Sequence, residues 1–134
     1  MPQNLLLRTV QTKHAPSAIG PYSQAVRVGS MVYVSGQIPL DPVTGQLVKG
    51  TIEEQTTRCL ENLRAILEAS QSDFSRVVKT TVFLKNMDQF TKVNETYGRF
   101  FKEPYPARAC VEVARLPQDV DVEIDCIAVC EPIA

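Results

Sequence analysis

Hydrophobic and polar residues alternate with two different periods along the chain, and these periods predict six strands and two helices. A period of two marks the strands, whereas apolar residues spaced three and four apart mark the helices. The predicted strands cover residues 5–10, 24–28, 31–35, 77–85, 108–115 and 120–131. The predicted helices cover residues 52–69 and a stretch that begins at 86–89 and ends before Pro104. The order β-β-β-α-β-α-β-β predicts an α+β fold in a single domain that spans residues 1–134.

Local signals at the ends of these elements support the assignment. Gly29 and Ser30 separate two short strands and predict a hairpin. Thr51 and Glu54 have the spacing of a capping box, which predicts the start of the first helix. The apolar stripe of that helix comprises Ile52, Cys59, Leu60, Leu63, Ile66 and Leu67. The stripe of the second helix comprises Phe90, Val93, Tyr97, Phe100 and Phe101, and we interpret it as core.

The last strand carries apolar residues on both of its faces. One face comprises Val120, Val122, Ile124, Cys126, Ala128 and Cys130. On the other face, acidic residues up to Asp125 give way to Ile127 and Val129. Two helices packed side by side cover only one face of a sheet, so the second face predicts an oligomer that packs sheet to sheet. A long loop at 12–22 that covers this face instead is the alternative.

Composition and charge narrow the classes of partner. Fourteen basic residues stand against fifteen acidic ones, for a net charge of -1, and they form no basic cluster, which disfavours a nucleic-acid partner. The six glycines form no nucleotide-binding motif, and no cofactor is indicated. Residues 1–10 hold no signal-like apolar run, and no segment is long and apolar enough to span a membrane. We expect a cytoplasmic protein, and a mitochondrial location with a cleaved targeting segment stays open.

The four cysteines do not predict a disulfide or a metal site. Cys126 and Cys130 share one face of a strand, but four residues at roughly 3.3 Å each hold them about 13 Å apart. The chain has one histidine, His14, in a proline-flanked loop, where a catalytic triad is disfavoured. We therefore interpret the cysteines as small buried hydrophobic residues.

Arg108 is the first candidate for chemistry. It begins the strand 108–115, in which Ala109, Val111 and Val113 are expected to face the core while Arg108 faces the opposite side. A guanidinium is planar and always charged, so it suits a small carboxylate. A surface arginine at the end of a strand is the alternative that these residues leave open.

Six short motifs in sequence order resemble the RidA/YjgF/UK114 family of reactive intermediate deaminases, and the resemblance covers residues 15–129. The motifs are Gly20-Pro21-Tyr22-Ser23-Gln24-Ala25, Ser35-Gly36-Gln37-Ile38, Val78-Lys79-Thr80-Thr81-Val82, Asn94-Glu95-Thr96-Tyr97, Pro106-Ala107-Arg108-Ala109-Cys110-Val111 and Val122-Glu123-Ile124. The resemblance implies a chorismate-mutase-like fold with a mixed six-stranded sheet, two helices on one face and the last strand between two earlier ones. It also implies a homotrimer with ligand sites between subunits.

The family resemblance further implies hydrolysis of enamine and imine intermediates to 2-keto acids and ammonia. The implied substrates are 2-aminoacrylate and related 2-imino acids released by pyridoxal-phosphate-dependent dehydratases, with no metal ion. Arg108 would bind the substrate carboxylate, and Glu123 would position or activate water. The other implied substrate-binding residues are Tyr22, Ser35, Gly36 and the backbone around Cys110. Asn94 and Tyr97 are not predicted to be catalytic.

Three alternatives remain open at this point. One alternative is a trimeric protein that binds 2-keto acids without turnover. Another is a translation-inhibiting endoribonuclease, an activity also attributed to members of the family. Cys110 as a covalent nucleophile is disfavoured because no base lies nearby in the sequence. Tyr105 and Ala109 depart from the residues usual in the family beside the arginine, which bears on fine specificity.

Overall fold

The hydrophobic periods correspond to the expected elements in the computed structural model, which describes residues 6–132. The strands are β1 (Leu7–Val10), β2 (Ala25–Val28), β3 (Met31–Gln37), β4 (Val77–Leu84), β5 (Ala107–Glu112) and β6 (Val122–Val129). The helices are α1 (Ile52–Ala69) and α2 (Phe90–Phe100), and 3₁₀ turns cover Phe74–Arg76, Met87–Gln89 and Pro117–Asp119. Leu5, which begins the first predicted strand, lies outside the described residues. The predicted order of elements is confirmed.

The six strands form one mixed sheet in the order β1-β2-β3-β6-β4-β5. β4 and β5 pair in parallel, and the other neighbours pair antiparallel. β6 therefore lies between β3 and β4, as the family resemblance implied, although it follows β5 directly in the chain. Within residues 6–132, β5 keeps one edge without a neighbouring strand.

The two helices pack side by side on one face of the sheet and enclose the core with it. Helix α1 begins where predicted, because Thr51 accepts a hydrogen bond from the Glu54 amide at 3.1 Å and Glu54 accepts one from the Thr51 amide at 2.9 Å. Such a cap stabilises a helix by about 1 kcal/mol. The β6 residues predicted for the core are all buried. Cys59, Cys126 and Cys130 are buried and free, as predicted.

Helix α2 begins later than the sequence indicated. The side chain of Asn86 accepts a hydrogen bond from the Asp88 amide at 2.9 Å, and this cap starts a 3₁₀ turn that precedes the helix. Val93, Tyr97 and Phe101 are buried as predicted. Phe90 is not core, because its side chain is 36% exposed at the outer end of the stripe. This correction matters for the site, since Phe90 contacts Arg108.

The predicted faces of β5 are wrong. Arg108 pairs in register with Thr80, whose fully buried side chain bonds Tyr97 on α2, so Arg108 lies on the face that the helices cover. Cys110 lies on that face as well and packs against the core. Val111 is 40% exposed on the opposite face. Apolar residues of this edge strand thus contribute to the second face of the sheet rather than to the core.

The sheet face opposite the helices, called here the open face, stays exposed and partly apolar. Tyr33, Val111 and Val129 on this face are 48%, 40% and 38% exposed, so the loop at 11–24 does not cover them. Charged residues such as Glu123 and Asp125 lie on the same face at one end of β6. Within residues 6–132, no helix is long and apolar enough to cross a membrane.

Candidate functional site

Arg108 lies at the free edge of the sheet and contacts three side chains of helix α2. Its Nη1 donates a hydrogen bond to Asn94 Oδ1 at 2.7 Å. Its guanidinium carbon lies 4.9 Å from the centre of the Tyr97 ring and 5.6 Å from that of Phe90. We call these four residues the arginine cluster. The ring faces attract the cation, and the amide oxygen fixes one side of it.

Helix α2 presents these residues together because of their spacing. Phe90, Asn94 and Tyr97 lie at i, i+4 and i+7, which places them along one side of a helix. The Tyr97 hydroxyl shares a hydrogen bond with Thr80 at 2.8 Å, and its ring stacks on Phe101 at 4.4 Å. Burial raises the pKa of Tyr97, so its hydroxyl stays neutral. The sequence interpretation treated this spacing as core alone and missed the contacts with the arginine.

A surface cavity of about 440 Å³ adjoins the arginine cluster. Its lining comprises Asn94, Tyr97, Gly98, Tyr105, Pro106 and Arg108. The volume lies within the range of small-molecule sites. Among residues 6–132, Arg108 forms no salt bridge, so its charge is not neutralised by a carboxylate of the described chain. The free edge of β5 therefore presents the positive charge of Arg108, which suits an anionic ligand.

Ser35, Gly36 and Glu123 lie together on the open face, where β3 bulges against β6; we call them the carboxylate cluster. The pairing of the two strands shifts between Val34 and Gln37. A Cβ built on Gly36 would lie 2.5 Å from Glu123 Oε2, so the absence of a side chain makes room for the carboxylate. Ser35 Oγ donates to the Ser23 carbonyl at 2.6 Å, which ties the bulge to the preceding loop.

The carboxyl group of Glu123 is half-buried, and this changes its acidity. Burial raises the pKa of Glu123, and the nearby charge of Asp125 raises it further. A carboxylate with a raised pKa is a stronger base toward a water proton than an exposed carboxylate. Among residues 6–132, no group of three or more His, Cys, Asp or Glu side chains is arranged to hold a metal ion.

One chain does not bring the arginine cluster and the carboxylate cluster together. Arg108 lies on the helix-covered face, whereas Glu123 lies on the open face, in register with Phe83. The strand between them, β4, adds two strand spacings, so the backbones at the two residues are at least about 9 Å apart. A single ligand the size of a three-carbon acid does not reach both side chains in one chain.

Cys110 is two residues from Arg108 and packs its free thiol against the core. Burial raises the pKa of the Cys110 thiol, against a smaller opposing effect of Arg108, so the thiol stays protonated and is a poor nucleophile. The Val113 amide donates to the Leu84 carbonyl of β4. Amides of successive strand residues point to opposite edges, so the Cys110 amide points to the free edge of the sheet.

Tyr22 lies in the loop between β1 and β2, and its side chain is 50% exposed. The loop is held by Gln24, a buried residue whose role the sequence interpretation missed. The Gln24 side chain accepts from the Thr12 amide at 2.7 Å and donates to the carbonyls of Thr12, Ala15 and Pro16. The sequence interpretation placed Gln24 at the start of the strand 24–28 and assigned it no contact with the loop. Gln24 and Ser35 thus anchor the loop that carries Tyr22 beside β3.

Replacing Gly36 with alanine is expected to push the Glu123 side chain out of its present rotamer and to destabilise the protein by about 0.5–1.5 kcal/mol, because the new methyl group overlaps the Glu123 carboxylate. The measurement is the midpoint of urea unfolding. Gly98→Ala is the matched control, since nothing lies within 4 Å of a Cβ at that helix position. Alanine there is expected to be neutral or stabilising. Equal midpoints for Gly36→Ala and wild type would contradict the close contact.

Comparisons with known proteins identify close relatives over nearly the whole chain. The family model described as endoribonuclease L-PSP matches residues 12–130. A 2-iminobutanoate/2-iminopropanoate deaminase of Salmonella typhimurium is 52% identical over 125 residues, which are 91% of this chain and 97% of that protein. A solved structure of a candidate endoribonuclease from Thermotoga maritima is 60% identical, with a TM-score of 0.90, and covers 92% of this chain and 98% of its own. The E. coli protein TdcF, solved with bound serine, is 45% identical, with a TM-score of 0.87 and coverage of 92% and 99%.

Proposed function

Since the chain belongs to the endoribonuclease L-PSP family, which is the RidA/YjgF family indicated by its motifs, we propose that it hydrolyses small 2-imino acids and their enamine tautomers. The products are 2-keto acids and ammonia. Relatives about half identical to this chain carry the name 2-iminobutanoate/2-iminopropanoate deaminase, which supports this reaction. The natural sources of such substrates are pyridoxal-phosphate-dependent dehydratases that release 2-aminoacrylate and its homologues.

The observation that carries the proposal is the guanidinium of Arg108 at the sheet edge. The Asn94 amide and the Tyr97 ring contact this guanidinium, and no carboxylate among the described residues pairs with it. A cavity adjoins it. Each substrate in this class has a carboxylate directly attached to the reacting carbon. A two-pronged hydrogen-bonded ion pair with Arg108 fixes this carbon in place. Serine bound to TdcF is a small amino acid of comparable size.

Glu123 acts on the water that attacks the imine carbon. The water oxygen adds to the carbon of the protonated C=N bond and one water proton moves to Glu123, which gives a neutral carbinolamine. Glu123 returns that proton to the nitrogen, the C–N bond breaks and ammonia leaves, while the carbinolamine hydroxyl gives its proton to Glu123 and becomes the keto oxygen. The raised pKa of Glu123 suits both transfers, because it makes the carboxylate a better acceptor for the water proton that it later returns.

The remaining residues of the site bind and enclose the substrate. The Cys110 amide at the free edge of β5 donates to the substrate next to the Arg108 ion pair. Ser35 and Gly36 line the opposite side around the nitrogen and the water, and Tyr22 encloses the cleft from its loop. The partly buried thiol of Cys110 is outside this chemistry, because it packs against the core.

The active assembly is a homotrimer with one site at each contact between subunits. Two observations support it: the exposed apolar residues of the open face, and the position of Arg108 and Glu123 on opposite faces of one sheet. Packing the open faces together buries the apolar residues, and it brings Glu123 of one copy toward the free β5 edge of the next, where Arg108 lies. Each substrate then contacts residues from two copies of the chain.

A mixed assembly tests this arrangement. Arg108→Ala and Glu123→Gln are each expected to be nearly inactive, but unfolding and refolding them together should restore activity, because some sites receive both native residues. Random mixing restores about one quarter of the sites in a closed ring. The measurement is ammonia release from 2-aminoacrylate that a serine or threonine dehydratase generates in place.

Two controls accompany the mixture. Each variant refolded alone should stay inactive, and light scattering should give the mass of three chains for both. Recovery absent from a mixture that is folded and trimeric would contradict sites shared between subunits. A monomer at micromolar concentration would contradict the trimer itself. Binding of keto acids by wild type without ammonia release would indicate a binding protein in place of the enzyme.

The name endoribonuclease, carried by the family model and by the Thermotoga structure, concerns a different substrate. RNA binding relies on positive charge along the phosphate backbone. The chain has a net charge of -1. Its exposed Arg108 lies on one short edge strand, beside the aromatic rings of Phe90 and Tyr97. The deaminase reaction therefore fits the site better than RNA cleavage does.

A further inference from the structure

Asn94 and Tyr97 approach the guanidinium of Arg108 from helix α2, and we propose that they are positioning residues for the substrate carboxylate. The proposal rests on the proposed function, because it concerns the same arginine. Neither residue touches the reacting atoms. Their role is to hold one orientation of the guanidinium before substrate arrives.

The contacts leave most of the hydrogen-bonding capacity of Arg108 free. A guanidinium has five N–H donors in one plane. Asn94 Oδ1 accepts from Nη1 alone, at 2.7 Å. The Tyr97 ring, 4.9 Å from the guanidinium carbon, attracts the charge through its π face and does not require a lone-pair acceptor. Donors therefore remain for a two-pronged contact with a planar carboxylate.

The support is rigid because it is attached to the core. Tyr97 is 5% exposed, and its hydroxyl bonds Thr80, which is fully buried on β4. Its ring stacks on Phe101, which is 2% exposed. An exposed arginine without such a support samples many rotamers, and binding would have to order it. Fixing the side chain beforehand lowers the entropy cost of binding.

A purely structural role for Asn94 is the competing explanation. Asn94 is exposed, and alanine has a higher helix propensity than asparagine, so Asn94→Ala should leave the fold as stable as wild type. An effect of this variant on carboxylate binding would then come from Arg108 and not from unfolding. Asn94→Asp adds a second distinction. It keeps an oxygen acceptor, which preserves a structural hydrogen bond, but its negative charge competes with the substrate carboxylate for Arg108.

The test measures deamination kinetics with enzymatically generated 2-aminoacrylate, and binding of 2-oxobutanoate by calorimetry. Asn94→Ala should raise KM and weaken 2-oxobutanoate binding by about tenfold, with kcat within about a factor of two. Asn94→Asp should bind still more weakly than Asn94→Ala. Glu95→Gln, the next exposed position on α2, is the control and should match wild type.

A double-mutant cycle shows whether Asn94 acts through Arg108. In an Arg108→Lys background the planar fork is absent, so Asn94→Ala should have little further effect. Tyr97→Phe keeps the ring and should retain most of the affinity, whereas Tyr97→Leu should lose it. Thermal unfolding of each variant checks that the fold is intact. Equal losses from Asn94→Ala in the Arg108 and Lys backgrounds would overturn the proposal.

The two proposals fail in different ways. Wild type that neither binds 2-oxobutanoate nor releases ammonia would overturn both. Wild type that does both, together with an Asn94→Asp variant that binds as tightly as wild type, would overturn the positioning role and leave the deaminase in place. Weakened binding in Asn94→Asp, lost in the Arg108→Lys background, would support the two together.

Discussion

Arg108→Ala is expected to lower kcat/KM for 2-aminoacrylate by about a hundredfold to a thousandfold. Removing one partner of a hydrogen-bonded charge pair costs about 2–5 kcal/mol, and this pair fixes the substrate at its reacting carbon. The protein should stay folded, because Arg108 is exposed and forms one hydrogen bond among the described residues. The measurement is ammonia release in the dehydratase-coupled assay, with the dehydratase alone as background.

Arg99→Ala is the matched control for Arg108→Ala. Arg99 is an exposed arginine in the last turn of α2, outside the arginine cluster. Its loss changes the net charge equally but leaves the cluster intact. Wild-type activity in Arg99→Ala and near-background activity in Arg108→Ala would assign the effect to the site. Similar activity in both variants would exclude Arg108 as the carboxylate ligand.

Glu123→Gln should lower kcat by about a hundredfold or more, since an amide does not take the proton of the attacking water. The side chain keeps its size beside Gly36, so the bulge should be preserved. Asp125→Asn is the comparison, because Asp125 lies on the same face of β6; its loss removes a charge that raises the pKa of Glu123, so this variant should shift the pH profile and keep most of kcat at pH 7. A loss of activity limited to Glu123→Gln identifies the proton carrier. Equal losses would point to the charge of the face rather than to one group.

Glu123→Gln is expected to raise the stability of the protein at pH 7, although it lowers kcat. Burial raises the pKa of folded Glu123 above its unfolded value, so the folded state holds the proton more tightly. The stabilising contribution of this group is complete below about pH 4.3 and is lost as the pH rises through the folded pKa. Glutamine does not titrate. Glu123→Gln should therefore have a higher Tm than wild type at pH 7, and the difference should shrink toward pH 4.

The sequence predicted most of the fold because each element carries its own signals. Helix α1 has a capping box at Thr51 and a complete apolar stripe, and its observed bounds match the prediction. The position of β6 in the sheet came from the family resemblance, because periodicity does not specify which strands pair. The faces of β5 were predicted wrongly, because this edge strand places Val111 on the exposed open face and the charged Arg108 on the helix-covered face, so hydrophobicity does not mark its core side.

The family motifs supplied the residues proposed for the site, which stay predictions, and they did not supply its geometry. Motifs identified Arg108 and Glu123, and they do not encode that the two side chains lie on opposite faces. Asn94 and Tyr97 were assigned no catalytic role, and Tyr97 was interpreted as core because it belongs to an apolar stripe at helical spacing. Which side of α2 faces the site depends on its contact with Arg108, which lies on the strand that follows the helix. That contact joins α2 and β5, and local patterns do not reveal it.

The arginine cluster and the carboxylate cluster differ in how far apart their residues lie in the sequence, because β4 and β5 pair in parallel within one short segment. Thr80, the supporting residues of α2 and Arg108 all belong to one continuous β4-α2-β5 segment, residues 77–112. Gly36 and Glu123 meet only when distant parts of the chain pair through β3 and β6. Contacts close in sequence form at a lower loop-closure cost than distant ones. The arginine cluster, proposed to bind the carboxylate, is therefore encoded as a local unit that a chimeric chain could inherit whole, whereas the carboxylate cluster, proposed to move the proton, depends on long-range topology.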